Sequence, residues 1–401
     1  MYEVLADMTS AQNPGLKHFL VPLLRWSKQS WWLTLALWLV AMAPARAALD
    51  LRVAVEQNVS AVRVGSATNA LLKDSSGQVL AEVRGGTSLE ANAEGGSVAI
   101  SRWRSGGIWI EPQDDGLVWI GDRWYRGKVY IVPTAGGLTA VNYVDLEEYL
   151  YSVLGGEMPT NWPLEALKAQ AVAARSYALY QRQTGANTVF DVGDTTRWQV
   201  YGGVKEETNT TVAAVQSTRG QVLTYNGQII NAVYHSSSGG HTENVEDVWL
   251  TALPYLRAVP DFDQAAPVFQ WTKNFSADQM RQRITGVGNI ISFAVERATP
   301  RGRMKSVRVI GDAGQRVLSG DQMRQALDLR STLFTIQPQS GQVASAQGAA
   351  SGGFQVIGRG FGHGLGMSQY GAYGMALQGT NYRDIVLHYY QGTVLSQIRV
   401  Q

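Results

Sequence analysis

Trp162-Pro163-Leu164-Glu165-Ala166-Leu167-Lys168-Ala169-Gln170-Ala171-Val172-Ala173-Ala174-Arg175-Ser176-Tyr177 is the stretch on which the fold turns. Its Ala, Leu, Lys and Gln are strong helix formers, and Pro163 suits a first helical position. The stretch therefore predicts the longest helix of the chain, from Pro163 to about Arg182. At about 100° per residue, Leu164, Leu167, Ala171, Ala174 and Ala178 share one face, with Lys168 and Arg175 nearly in line at its border. Two cations beside a buried stripe either pair with acids such as Glu147 or Glu148, or line a groove and donate to an anionic or hydroxyl-rich ligand.

Upstream, apolar residues recur at helical spacing from Val144 to Leu150, and the loop Gly155-Gly156-Glu157-Met158-Pro159-Thr160-Asn161-Trp162 follows. Glu157 sits there between Leu154, Met158 and Trp162. It is either a general acid whose pKa an apolar pocket raises, or a surface carboxylate in a turn. Before it, residues 48–143 form short alternating runs such as Leu51-Arg52-Val53-Ala54-Val55, separated by Gly, Asn and Asp, and read as a β-rich N-terminal domain.

Beyond the long helix, Thr208 to Gln216 predicts a shorter one. Strands are expected at Gln221 to Thr224 and Ile229 to Tyr234, then the polar loop His235-Ser236-Ser237-Ser238-Gly239-Gly240-His241-Thr242-Glu243. The core so defined spans 144–269. Residues 270–336 read as an inserted α/β subdomain, in which Ser276 with Gln279 and Ser319 with Gln322 have the spacing of capping boxes. Residues 337–353, rich in Gly, Ser and Gln, read as a flexible loop, and 354–401 return to the core. The class is α+β.

Composition narrows the function. Of 401 residues 45% are hydrophobic and 16% charged, enough apolar side chain for a substantial core. With 34 Lys and Arg against 32 Asp and Glu, the net charge of +2 argues against a nucleic-acid partner. The absence of cysteine removes disulfides and thiolate chemistry. The 43 Gly and 12 Trp suit tight turns and sugar stacking, as they also suit an ordinary β-rich protein. At the N-terminus, Lys17, Arg25 and Lys28 precede an apolar run from Trp31 to Ala43, closed by Pro44 and Ala45-Arg46-Ala47. Residues 1–47 thus read as a signal peptide or, uncleaved, as a signal anchor; either way they are the expected membrane contact and export the rest to the periplasm or cell wall.

His235 and His241, with Glu243 and Asp247 nearby, are candidates for a metal, for substrate hydrogen bonds or for loop packing; their spacing of six matches no familiar zinc pattern. His363 lies in Gly358-Arg359-Gly360-Phe361-Gly362-His363-Gly364-Leu365-Gly366-Met367-Ser368-Gln369-Tyr370-Gly371. That run lacks the ending of a phosphate loop, so it is either a close approach of backbone to a ligand or a packed turn around a core histidine.

Four blocks in this order, Tyr149 to Pro159, Trp162 to Tyr177, Tyr234 to Glu243 and Gly360 to Ala372, resemble the stage II sporulation protein D / LytB amidase-enhancer family of bacterial cell-wall proteins, over roughly residues 50 to 397. The resemblance implies a lytic transglycosylase cutting between N-acetylmuramic acid and N-acetylglucosamine in strands freed of stem peptides, leaving 1,6-anhydro ends. It implies Glu157 as the catalytic acid; on that mechanism Lys168, Gln170, Arg175, Tyr177, Ser237, Ser238, His363 and Gln369 are the candidates for meeting substrate, with Lys168 or Arg175 for the lactyl carboxylate. No cofactor is required by it. Some relatives hold zinc in the Ser-rich loop through ligands that include a Cys, so a matching zinc site here would rest on His235 and His241. The partners implied are peptidoglycan glycan strands and a cell-wall amidase. Two other readings stand beside it: a non-catalytic peptidoglycan binder that stimulates or localises that amidase, and a metal-dependent amidase using His235, His241 and His363.

Overall fold

Alternation between Leu49 and Tyr143 becomes twelve strands, and the first and last of them are neighbours in one sheet. Asp50–Val59 pairs antiparallel with Gly137–Asp145, matching Leu51 with Val144 and Val53 with Asn142. The computed structural model describes residues 49–249, 251–339 and 353–398. The signal segment read at 1–47 lies outside the described residues, as does all but the ends of the loop read at 337–353.

One seven-stranded sheet runs in the order Val192–Gly193, Asp50–Val59, Gly137–Asp145, Lys128–Thr134, Ile108–Pro112, Ala70–Asp74, Val79–Val83. A six-stranded sheet is built from the remaining strands of the same segment. The inward residues are the alternate ones, as period two requires: Val62 and Val64, Ile108 and Ile110, Val129 and Ile131 are all buried.

Eight helices lie among the described residues: α1 (Leu146–Glu157), α2 (Leu164–Thr184), α3 (Asn209–Ser217), α4 (Val245–Val248), α5 (Ala277–Arg283), α6 (Gly320–Ala326), α7 (Gln369–Leu377) and α8 (Tyr382–Tyr389). The long helix is where the sequence puts it, with two differences. Pro163, at φ −52° and ψ 137°, is the N-cap, outside the first turn. Leu164, expected on the buried face, is 43% exposed. The burial also exceeds a stripe. Ala166, Leu167, Ala169, Ala171, Val172, Ala173 and Ala174 are all enclosed, because α1, α3, α7, α8 and the strand Gln221–Tyr225 surround the helix, and alanine lets backbones approach closely.

The strands of the N-terminal segment and α1 to α3 share one continuous apolar core, from Leu51 and Ile131 through Tyr149 and Leu150 to Val172. A second cluster, Trp271 to Val356, fills the inserted region. There, Gln270–Phe275 leads into α5 and Ile290–Ala298, and Gly314–Ser319 leads into α6 and Phe334–Pro338. Both helices open with the expected reciprocal capping box, Ser276 with Gln279 and Ser319 with Gln322. The strand Phe354–Arg359 is the middle of a three-stranded sheet between Gln270–Phe275 and Phe334–Pro338, so the chain leaves this cluster only after Arg359.

Candidate active site

Glu157 is the last residue of α1, and its position follows from how that helix begins and ends. Asp145 caps the start, its side chain accepting from the N–H groups of Glu147 and Glu148. Tyr149, Leu150, Val153 and Leu154 anchor the helix in the core. At the end, a Cβ on Gly155 would lie 1.9 Å from the carbonyl oxygen of Glu206, and one on Gly156 would lie 2.9 Å from Val200. The two glycines therefore let the segment 200–206 lie directly on the helix end, and the Val200 N–H donates to Glu157 Oε1 at 2.7 Å. Gly155→Ala is expected to cost about 1–3 kcal/mol through overpacking, despite alanine's better helix propensity. An unchanged urea midpoint would contradict the contact.

Behind the carboxyl runs a chain of polar groups. Tyr149 donates its hydroxyl to Gln199 Oε1 at 3.2 Å, and Gln199 Nε2 donates to the Tyr234 hydroxyl at 3.0 Å. The Tyr234 hydroxyl thereby keeps its own proton, beside the Glu157 carboxyl. Burial pushes the Glu157 carboxyl up from its ordinary value of 4.5, against the hydrogen bonds of Val200, Gln369 and Tyr234, which favour the ionised form. Tyr177 is pushed up to about 12 by its own burial and by the nearby Glu157 charge, so it remains a hydroxyl donor.

Glu157 opens onto a recess of about 380 Å³ walled by Tyr177, Trp198, Tyr234, Trp249, Phe361 and His363, with Ser236, His235 and Gln369 also lining it. Among the described residues lining it, Glu157 is the single carboxyl. On its other side Glu157 borders a shallower depression of about 470 Å³ with Met158, Pro159, Lys205 and Glu206. Glu157 thus borders both spaces.

Of the residues the sequence proposed, Tyr177, His363 and Gln369 join Glu157 here. Gln369 Nε2 donates to the Glu157 carbonyl oxygen at 3.2 Å. The ring nitrogens of His363 are both committed to main chain: Nε2 donates to the Tyr234 carbonyl, and Nδ1 accepts from the Leu365 N–H. Burial holds its pKa down to about 4, so it is a neutral wall, with only its ring face for a ligand.

Five expectations need correction. Arg175 is fully enclosed, its Nε and Nη2 donating to the two oxygens of Glu147 at 2.9 and 2.6 Å, so the ion-pair alternative is the one realised. Lys168 turns to Glu165 at 2.7 Å and to the Tyr382 ring, away from the recess. Gln170 is wholly buried, its carboxamide without a hydrogen-bond partner among the described residues. Ser237 and Ser238 donate to Asp263 and Asp261, pinning their loop, and it is Ser236 that faces the recess. The reason is the two buried carboxylates, Asp263 and Asp261, which hold the hydroxyls of Ser237 and Ser238 inside the loop.

A zinc ion does not fit the residues present. His235 donates Nδ1–H to the Leu365 carbonyl and keeps an unpartnered Nε2. His241, however, bridges to Pro260 beside Arg301 and Asp261 and does not line the recess. Among the described residues no three of His, Cys, Asp and Glu gather where one ion could sit.

Sequence reasoning missed Val200, Gln199, Trp198 and Trp249. Val200 acts through its main chain, which no residue type announces. Tyr234 and Ser236 lie in the Tyr234 to Glu243 block, but Tyr234, His235 and Ser236 line the recess in succession, so no periodicity marks them.

Comparison with known proteins gives the family. The model of the SpoIID family, Stage II sporulation protein, matches residues 134–225, which contain Glu157 and its Val200 donor. A Domain of unknown function (DUF8618) matches residues 253–366. Stage II sporulation protein D of Bacillus subtilis strain 168 is 37% identical over 278 residues, 64% of this chain and 76% of that protein. The protein of the same name from Bacillus amyloliquefaciens is 36% identical over the same shares. The Amidase enhancer of Bacillus subtilis strain 168 is 34% identical over 291 residues, 62% of this chain and 40% of that longer protein. A relative matched over three quarters of its length at this identity, together with the family model across the Glu157 region, places the chain in the SpoIID family.

Proposed function

We propose that the protein is a peptidoglycan lytic transglycosylase, acting outside the cytoplasmic membrane on glycan strands freed of stem peptides. The observation that carries this is a desolvated carboxyl, the single one lining a recess with aromatic walls. Glycosidases ordinarily need two carboxyl groups. One suffices when the nucleophile belongs to the sugar. Protonated Glu157 gives its proton to the oxygen bridging N-acetylmuramic acid and N-acetylglucosamine, and the C1–O bond breaks. The muramic 6-hydroxyl then attacks C1, and the Glu157 carboxylate takes its proton, so the acid is restored as the O6–C1 bond of the 1,6-anhydro product forms. The two halves need opposite protonation states. Burial favours the first, while the Val200 N–H and the Tyr234 hydroxyl support the second. Tyr177, Trp198 and Trp249 offer surfaces for the sugar rings.

The test is the purified protein alone on stem-peptide-free glycan, with mass spectrometry of the ends. Anhydro-muramyl ends are expected; reducing muramyl ends, or no cleavage, overturn the proposal. The pH profile adds a second check. Because the working acid must be protonated, kcat/KM is expected to fall as pH rises through the raised Glu157 pKa, on a limb above 4.5. A limb at or below that value contradicts a desolvated acid.

A relative named Amidase enhancer favours a second reading, a non-catalytic binder that stimulates or localises a cell-wall amidase. Absence of anhydro ends, with stimulation of a purified amidase on intact peptidoglycan, would select it. A metal-dependent amidase finds no support, since both His363 nitrogens are committed and His241 stands away from the recess.

A further inference from the structure

The recess around Glu157 does not end at its far wall. Trp249, Phe361, Gly362 and His363 also line a second cavity of about 500 Å³, reaching into the inserted region. Trp249 and Phe361 are 39% and 47% exposed, a large apolar surface left open at the junction. The second cavity carries four cations, Arg303, Lys305, Arg324 and Arg330, against two carboxylates, Asp247 and Asp321. Two of the cations are accounted for by the fold. Arg303 is buried, donating to the Ser238 and Gly362 carbonyls beside Glu243, with Gly364 packed on its guanidinium so closely that a Cβ would lie 2.3 Å from Nη2. Arg324 pairs with Asp321. Lys305 and Arg330 have no acid partner within salt-bridge distance among the described residues, and Arg330 is exposed.

We infer that this cleft is a subsite for an anionic sugar, where Lys305 and Arg330 pair with the free lactyl carboxylate of a muramic acid carried past the Trp249–Phe361 ridge. The inference rests on Glu157 facing a glycan, and it names what the inserted region does for that glycan. A sugar polymer crossing from the Glu157 recess must pass the two aromatic rings, whose open faces suit a pyranose, and then meets unneutralised positive charge. A muramic acid still bearing its stem peptide has an amide in place of the carboxylate. It offers no charge to Lys305 and Arg330 and brings a bulky chain into the cleft. The inserted region thereby reads whether the peptide has been removed.

The experiment measures binding and not cleavage, using the full chain with Glu157→Gln. Its ligands are glycan strands with free lactyl carboxyls and the same strands with those carboxyls converted to methylamides. The free acid is expected to bind about tenfold tighter, the order of two charge-assisted contacts in a half-open cleft, with the preference shrinking as salt is added. Adding Lys305→Gln and Arg330→Gln is expected to erase the preference while leaving methylamide affinity unchanged. Lys305→Arg with Arg330→Lys is expected to retain it. Equal affinity for the two glycans, or a preference that survives the double Gln variant, overturns the inference. If the preference behaves as described but the wild-type protein makes no anhydro ends, the transglycosylase reading falls and this subsite stands.

Discussion

Glu157→Gln is expected to lower the rate of glycan cleavage by about 10² to 10⁴ while leaving glycan affinity within a few fold. The carboxamide keeps the shape and the acceptor oxygen that the Val200 N–H meets at 2.7 Å, so the loop over α1 stays in place. It has no proton to give to a bridging oxygen and no carboxylate to take one from a 6-hydroxyl, so both halves of the reaction fail together. Stability separates this account from a disruption of the fold, and its sign can be worked out. Burial raises the Glu157 pKa in the folded protein, so between the ordinary value and the raised one the native state holds more proton than the unfolded chain. Wild-type stability therefore declines as pH rises through that interval, and the Gln variant escapes the decline. Urea melts of both proteins across the interval should show the variant gaining on wild type towards higher pH. Undiminished cleavage by the variant would remove Glu157 from the reaction, and a pH-independent stability difference would remove the desolvated setting.

The contrast between Glu157 and Arg175 shows what was legible in the sequence. Around Glu157, local signals are partly right: apolar neighbours flank the acid and a proline precedes the next helix, but the two glycines suggested a loop from Gly155, whereas α1 runs on through Glu157 because the segment 200–206 packs on those glycines. The α+β class was legible, since alternation up to Tyr143 and the helical period after it are local properties. So were the capping boxes at Ser276 and Ser319, whose partners lie three residues away. Arg175 differs because helical spacing puts it at the border of the stripe without saying what stands opposite. Its partners arrive from α1, α3 and the strand Gln221–Tyr225, up to 46 residues distant. The Ser-rich loop failed by one residue, because a strand of two residues carries too little pattern to say which face meets the recess. Trp249 had no pattern at all; it joins the site because α4 packs beside the Gly-rich run.

Arg175 carries the second large effect. It donates to both oxygens of Glu147, to the Gln221 carbonyl at 3.0 Å and to the Val215 carbonyl at 3.4 Å, while the Gly220 N–H donates to the same carboxylate. The pair fastens the start of α1 to the middle of α2 and to the end of α3. Its weight in the fold comes from isolation: with both groups shut away from water, removing one leaves the other charged and unmatched. Arg175→Met is therefore expected to destabilise the protein by about 3–5 kcal/mol. Glu147→Met should do the same. Removing both charges at once takes away the penalty with the attraction, so the double Met variant is expected to recover most of the loss, to within about 1–2 kcal/mol of wild type. Urea denaturation of the four proteins closes the cycle. A substrate role makes the opposite prediction: Arg175→Met would keep its stability and lose glycan affinity, and Glu147→Met would then give no rescue. Helix α1 ends on Glu157, so loosening its start should also disturb the acid. The double variant, refastened by apolar contact, is accordingly expected to recover cleavage along with stability.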